Sequence, residues 1–141
     1  MEYLSIISIA LLILIPSTML FLNYSKSTTD TITSGQLNLI GTTLQNKAEE
    51  MYVVGKGSWV TLEFSFPQSF QEAGINTANE LYFTYSTAKG VSQVVFFFDR
   101  FNITTISNTS CSTYCDLNFS EGINRIKLES NGSQVIMKKI Y

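Results

Sequence analysis

The chain of 141 residues contains no histidine, only two cysteines and two prolines, and few charged residues. Histidine is the commonest general base and transition-metal ligand in proteins, so Ser-His-Asp and Cys-His mechanisms are excluded. Charged residues make up 14% of the chain and the net charge is −2, which leaves no basic field for nucleic acid or anionic lipid. No Gly-rich phosphate loop follows a predicted strand, and no carboxylates have metal-ligand spacing. The sequence therefore predicts no enzyme, no metal site and no cofactor other than attached sugars.

The two cysteines, Cys111 and Cys115, lie close together in a polar segment. Two thiols without a histidine make a poor zinc site, because structural zinc takes four ligands. Outside the cell a disulfide is the expected state. Closing so short a loop would stabilise the fold by roughly 2 kcal/mol on the chain-entropy model. A pair of free thiols is the alternative.

The most informative segment is the run from Tyr3 to Leu22, which carries no charge and is preceded by one carboxylate, Glu2. A helix of this length is about 30 Å long, enough to cross the hydrocarbon of a bilayer. Pro16 removes one helical hydrogen bond, which neighbouring helices and hydroxyl groups compensate in an apolar setting. The segment therefore predicts a helix surrounded by lipid or by other helices.

A second helical pattern follows the apolar run. Residues 23–34 are rich in Ser and Thr and have weak helix propensity. Beyond them apolar residues recur at spacings of three and four: Leu37, Ile40, Leu44, Ala48 and Met51. We predict one long helix over 1–54, in which 1–22 is the membrane or filament-core segment. The range 23–54 is its amphipathic part, loosened around 24–35 and packed on a sheet. Gly55 and Gly57 mark its end.

Residues 55–141 are predicted to form a β-rich domain. Strand patterns cover 59–66, 81–85, 91–98, 101–106, 123–130 and 134–140, and Asn131-Gly132 between the last two predicts a hairpin. The nearly continuous apolar run 91–98 predicts a strand buried on both faces. Phe96 to Phe98 and Trp59 are interpreted as core or intersubunit packing, and Asp99-Arg100 as a local ion pair. The predicted fold class is α+β, a long hydrophobic N-terminal helix followed by a small antiparallel sheet or sandwich.

Five Asn-x-Ser/Thr triplets occur, at Asn23, Asn102, Asn108, Asn118 and Asn131. Such a triplet accepts an N-linked glycan only on the extracytoplasmic side of the membrane. The frequent Ser and Thr residues also generate these triplets by composition alone. We expect Asn102, Asn108 and Asn118 to be the favoured acceptors. The tight turn restricts access to Asn131, and Asn23 lies beside the apolar helix.

The segment Met1-Glu2-Tyr3-Leu4-Ser5-Ile6-Ile7 resembles the mature N-terminus of archaeal type IV pilins made with class III signal peptides. Those proteins have a Glu, an aromatic residue and an apolar run after a basic leader that ends in Gly-Gln. The sequence holds no such leader, which implies a processed chain or a start at an internal methionine. The stretch Glu121-Gly122-Ile123-Asn124, with the hairpin that follows it, is similar to the way many of these β-domains finish.

This resemblance implies a structural subunit that polymerises through its helix into an extracellular filament and displays a glycosylated β-domain for surface adhesion or cell contact. Glu2 is implied to pair with the N-terminal amine of a neighbouring copy, and Tyr3, Leu12 and Pro16 are the other expected assembly residues. The implied partners are further copies of the chain, a prepilin peptidase, the pilus assembly machinery and, before assembly, the cytoplasmic membrane. The implied location after assembly is an extracellular filament at the cell surface.

Two other interpretations remain open from the sequence. The same helix can serve as a plain anchor for a monomeric extracellular binding module, or the chain can belong to a related motility filament. Glu2 can equally be a residue at the membrane interface that complements the helix dipole, because an anion is favoured at a helix N-terminus.

Overall fold

A computed structural model describes residues 2–77, 79–105 and 113–141 of the chain. A single helix, α1 (Glu2–Val54), precedes the strands of this described part. They are β1 (Trp59–Phe66), β2 (Phe70–Asn76), β3 (Glu80–Thr87), β4 (Gly90–Phe97), β5 (Asn102–Thr104), β6 (Tyr114–Asp116), β7 (Gly122–Ser130) and β8 (Gln134–Ile140). The predicted α+β class, a long apolar helix followed by small sheets that are mostly antiparallel, is confirmed.

The chain forms two compact units, Met1–Ile32 and Thr33–Tyr141. In the first unit α1 continues without interruption through the Ser- and Thr-rich stretch, so the predicted loosening around 24–35 is wrong. Hydroxyl groups there donate to carbonyl oxygens four residues earlier, from Thr28 to Tyr24 at 2.9 Å and from Thr31 to Ser27 at 3.0 Å. The hydroxyl groups of these residues are therefore hydrogen-bonded within the helix. They are not used in the alternative side-chain-to-backbone bonds that would favour a non-helical backbone.

In the second unit the helix buries one stripe. The five residues named from the sequence, Leu37, Ile40, Leu44, Ala48 and Met51, are all buried in the core. Within the range 23–54 that was expected to pack on a sheet, the first buried side chain is Thr33, whose hydroxyl accepts a hydrogen bond from Ser69 at 3.2 Å. The spacing of three and four residues therefore identified the packed face correctly.

The strands form two four-stranded sheets. The first sheet has the order β1-β7-β8-β5 and the second has the order β4-β3-β2-β6. All described pairs are antiparallel except β5 with β8, which is parallel. Asn131-Gly132-Ser133 connects β7 to β8, as the hairpin signal predicted. Strands β2 and β6 were not predicted, because their sequences FQEAGIN and YCD carry little apolar alternation.

One core cluster joins both sheets to the helix. Phe66 at the end of β1 lies 5.7 Å, centroid to centroid, from Phe83 on β3, and so links the first sheet to the second. Phe83 in turn lies 5.7 Å from Phe96 on β4. Tyr52 on the helix stacks on Phe101 at 4.8 Å. Such aromatic pairs add about 0.5 to 1.5 kcal/mol each beyond the area they bury.

The prediction that the run 91–98 is buried on both faces is wrong. β4 is an edge strand of the second sheet, and its side chains alternate between the core and the outer surface. Phe96 is buried, whereas Phe97 is 52% exposed. Composition alone does not distinguish a central strand from an edge strand whose outer face is also apolar.

The helix ends at a glycine, as the sequence predicted. The amide of Gly55 donates to the carbonyl of Met51 at 3.1 Å, and Gly55 has a φ of +98°, which a residue with a side chain rarely adopts. The hydroxyl of Ser58 donates to the same Met51 carbonyl at 2.7 Å. The last turn is thereby closed before β1 begins.

Candidate functional site

The apolar segment of α1 presents its side chains outward on every side. Its most apolar 18-residue window has a mean hydropathy of 2.4, and none of that window is buried. By length and composition this helix can anchor the chain in a membrane, a property that it shares with N-terminal signal sequences. Of the expected assembly residues, Tyr3 and Leu12 are exposed in this way, Leu12 at 75%. Glu2 is the first residue of the helix.

Pro16 lies inside the helix, as predicted. Its ring nitrogen has no hydrogen to donate to the Leu12 carbonyl four residues earlier. Two residues further on, the hydroxyl of Thr18 lies 2.9 Å from the carbonyl oxygens of both Leu14 and Ile15. The Thr18 hydroxyl is therefore satisfied within the helix, as an apolar environment requires.

The predicted glycan acceptors lie in different local structures. Asn23 is on the helix, Asn102 is the first residue of β5, Asn118 is in the loop between β6 and β7, and Asn131 begins the β7–β8 turn. Asn108 lies outside the described residues. Asn23, Asn102 and Asn118 are exposed, and Asn131 is half-buried.

Cys115 lies on β6 and is disulfide-bonded. Cys111, the other cysteine of the chain, lies outside the described residues. Cys115 pairs with Ile75 in the β2–β6 ladder, and its side chain packs against the core.

A feature that the sequence interpretation missed is the outer face of the second sheet. In the ladders Tyr82 lies between Val95 on β4 and Gly74 on β2. The Tyr82 hydroxyl would lie 2.5 Å from a Cβ atom at Gly74, and its ring centroid is 6.1 Å from that of Tyr114 on β6. Gly74 was the available signal, because glycine within a strand marks a close approach of neighbouring atoms, but the strand β2 itself was not predicted.

Tyr82 is buried although it lies on this outer face. Burial raises the pKa of its phenol, and a hydrogen bond with the Tyr114 side chain raises it further. The carboxylates of Glu72 and Asp116 act in the same direction, since negative charges disfavour the phenolate. Val95 and Phe97 on β4 and Tyr114 on β6 remain exposed on this face.

The outer face of the first sheet is charged instead. Arg125 on β7 forms an ion pair with Glu63 on β1 at 2.8 Å, and Lys127 forms one with Glu129 at 2.8 Å. The Lys127 ammonium also lies 5.3 Å from the centroid of the Trp59 ring. Exposed pairs of this kind contribute about 0 to 1 kcal/mol each. The two sheets therefore offer chemically different surfaces.

Two polar contacts connect α1 to the last residue of β4 and to the loop that follows it. Gln45 donates through Nε2 to the Phe97 carbonyl at 2.6 Å, which covers part of the strand edge. Arg100 pairs with Glu49 on the helix at 2.7 Å, so the expected local pair Asp99-Arg100 is wrong. The topology brings the β4–β5 loop back to the helix, a long-range contact that sequence spacing does not reveal.

Within the described ranges, no group of three or more Cys, Asp or Glu side chains is placed to hold a metal ion. Comparison with protein-family models, curated proteins and solved structures yields no match for this chain.

Proposed function

We propose that this chain is a structural subunit of an extracellular type IV pilus-like filament. Its N-terminal helix polymerises with copies of itself, and its β-domain is displayed outward for adhesion or cell contact. The observation that carries this proposal is the contrast along α1. Residues 33–54 bury one stripe, whereas the segment from Tyr3 to Leu22 is apolar and exposed on all sides. A helix that is hydrophobic all round requires an apolar environment.

The energetic demand of that segment is large. It exposes fourteen large apolar side chains between Tyr3 and Leu22. At about 1.5 to 3 kcal/mol for each side chain, leaving them in water costs on the order of 20 to 40 kcal/mol. A typical domain is stable by only about 5 to 15 kcal/mol. Lipid or other helices must therefore cover the segment.

Lipid and a helical bundle are both apolar, so moving from one to the other has a small net cost. Small residues such as Ser5, Ser8 and Ala10 allow close helix packing, and the Ser8 hydroxyl is already satisfied by the Leu4 carbonyl at 2.8 Å. This supports a route in which the membrane holds the subunit before assembly and the filament core holds it afterwards. Processing by a prepilin peptidase and extrusion by a pilus assembly machinery are part of the proposal.

A test is to shear surface material from cells that produce the chain and to examine it by negative-stain electron microscopy. Antibodies raised against residues 113–141 locate the chain. Labelled filaments in the sheared fraction support the proposal. Recovery of the chain in membranes alone, as a monomer after mild detergent extraction, contradicts it.

The alternative is a membrane-anchored binding module. The exposed aromatic side chains on the outer face of the second sheet, Phe97 and Tyr114, favour it, because exposed aromatic residues are enriched at binding sites. Chemical cross-linking on intact cells separates the two functions. A ladder of homo-oligomers indicates the filament, whereas a single cross-linked species with a different protein indicates the module.

A further inference from the structure

Four of the five Asn-x-Ser/Thr triplets lie in the described part of the chain, and each is held in a different backbone conformation. We propose that the folded chain presents Asn118, in its β-domain, as the N-glycan acceptor and withholds Asn23, Asn102 and Asn131. The inference rests on the proposed function, because it requires the β-domain to be outside the cell. It goes further by naming the modified residue and the order of folding and modification.

The reaction sets the geometric requirement. The Asn side-chain nitrogen attacks the anomeric carbon of a glycosyl donor activated as a lipid-linked phosphate ester. The carbon–nitrogen bond forms while the carbon–oxygen bond to phosphate breaks, and the lipid phosphate leaves with that electron pair. The amide gives one proton to a base of the transferase. Both the Asn amide and the hydroxyl two residues later must reach that enzyme together.

Asn118 meets this requirement. It is exposed, and its φ of +52° places it in a left-handed turn that Asn tolerates better than most residues. Its backbone is held by two bonds, from its own amide to Asp116 Oδ1 at 2.8 Å and from Lys139 Nζ to its carbonyl at 3.4 Å. Its side-chain amide makes no hydrogen bond to another described residue. Ser120, the hydroxyl residue of the triplet, is also exposed; its hydroxyl accepts a hydrogen bond from Lys139 Nζ at 3.0 Å and donates a long one to Asn124 Oδ1 at 3.5 Å.

Asn102 does not meet the requirement because of the third residue of its triplet, Thr104. Asn102 itself is exposed, but Thr104 is 0% exposed. Both residues are in β5, whose ladder with β8 pairs Asn102 with Gln134 and Thr104 with Ile136. The Thr104 hydroxyl becomes accessible only if β5 leaves the sheet. A glycan on Asn102 would therefore have to be attached before the domain folds.

Asn131 and Asn23 are withheld for other reasons. Asn131 Oδ1 accepts bonds from the Ser133 amide at 3.0 Å, the Ser133 hydroxyl at 3.0 Å and the Gln134 amide at 2.9 Å. Its amide plane is therefore fixed by the turn. Asn23 and Ser25 are two residues apart on a helix, where side chains at that spacing do not face each other.

The test is glycopeptide mass spectrometry on the full chain purified from its native host. Combined cleavage after Lys and Arg and before Asp separates 116–125, which holds Asn118 alone among the triplets, from 101–115. The latter peptide carries Asn102 and Asn108, and fragmentation assigns a glycan to one or the other. We expect glycan on 116–125 in most chains, and none on Asn102, Asn23 or Asn131.

Two variants make the assignment. Asn118→Gly keeps a residue that tolerates the left-handed turn and adds no cleavage site, and Ser120→Ala keeps Asn118 but removes the hydroxyl. Both should lose the glycan of peptide 116–125 entirely, while Ser133→Ala, a matched change in the Asn131 triplet, leaves the glycan pattern unchanged.

An unmodified 116–125 peptide in the unsubstituted chain overturns the inference, and so does a glycan on Asn102, Asn23 or Asn131. Electron microscopy of the same preparations tests the filament proposal separately. Filaments whose 116–125 peptide carries no glycan overturn the assignment of Asn118 alone. Solitary chains that carry a glycan at Asn118 overturn the filament proposal alone.

Discussion

The ring of Phe96 on β4 lies across the backbone of Gly41 on α1, and a Cβ atom at position 41 would overlap its Cε2 and Cζ atoms. Gly41 is buried, and the ring is held on its other side by Phe83 at a centroid distance of 5.7 Å. The absence of a side chain at Gly41 thus lets an edge strand approach the helix closely. Glycine in a helix costs about 1 kcal/mol relative to alanine, which this packing must offset.

Gly41→Ala should destabilise the β-domain by about 1 to 2 kcal/mol. The added methyl group forces Phe96 to move in a packed core, which costs about 1 to 3 kcal/mol, and the gain in helix propensity offsets part of this. Urea unfolding of the full chain in detergent, followed by fluorescence of the single tryptophan, Trp59, measures the change.

Gly35→Ala is the matched control. Gly35 lies on the same helix, is exposed, and has no atom within 4 Å of a Cβ position. This variant should gain about 0.5 to 1 kcal/mol, because alanine is the better helix former. Equal effects of the two substitutions would show that the Phe96 contact does not determine the role of Gly41.

The helix stripe, the class of fold and the β7–β8 hairpin could be predicted from the sequence because each depends on local periodicity or turn chemistry. Leu44 and Ala48 are buried as their spacing required. The contact of Gly41 with Phe96 could not be predicted, because it depends on which strand passes over the helix. For the same reason the partner of Arg100 was predicted wrongly, because its actual partner, Glu49, is distant in the sequence.

The surfaces were harder to predict than the core. An apolar run such as 91–98 has the same composition in a central strand and in an edge strand with an apolar outer face. The ladder position of β4 decides between them, and position is a property of the whole sheet. The Asn-x-Ser/Thr triplets illustrate the same limit, because the triplet at Asn102 is unchanged in sequence whether Thr104 is buried or exposed.

Leu12→Arg should abolish filaments and leave the β-domain folded. Leu12 is exposed in the apolar segment and belongs to the first unit, not to the residues that form the β-domain. A buried guanidinium costs about 3 kcal/mol on membrane-insertion scales, and each subunit in a filament core would incur a cost of this kind. The measurement is negative-stain counting of filaments in sheared material.

Leu12→Met is the control for that variant, because it keeps the volume and the apolar character of the side chain. It should assemble as the unmodified chain does. Circular dichroism checks that both variants keep the β-domain. Normal filaments from Leu12→Arg would count strongly against a core built from this segment.

Glu2→Gln should slow filament assembly several-fold with little change in the final yield. If the carboxylate pairs with the terminal amine of a neighbouring copy, its charge accelerates docking more than it adds net affinity, because desolvation offsets the attraction. The amide keeps the shape of the side chain and removes only the charge. The appearance of filaments with time after induction is the measurement, and unchanged kinetics would assign Glu2 to complementing the helix dipole instead.

Tyr82→Phe should remove part of the alkaline destabilisation of the β-domain. The folded protein raises the pKa of Tyr82 above the ordinary tyrosine value of about 10. Above that pH the unfolded chain loses the phenolic proton while the folded chain retains it, so the unfolded state binds fewer protons and stability falls as the pH rises. One such group contributes a slope of up to about 1.4 kcal/mol per pH unit to the free energy of unfolding.

Urea unfolding at pH values on either side of 10 should show a shallower dependence of that free energy on pH for Tyr82→Phe. Tyr24→Phe, in the exposed part of the helix, should keep the full slope, and parallel curves for all three proteins would exclude Tyr82 as the group responsible.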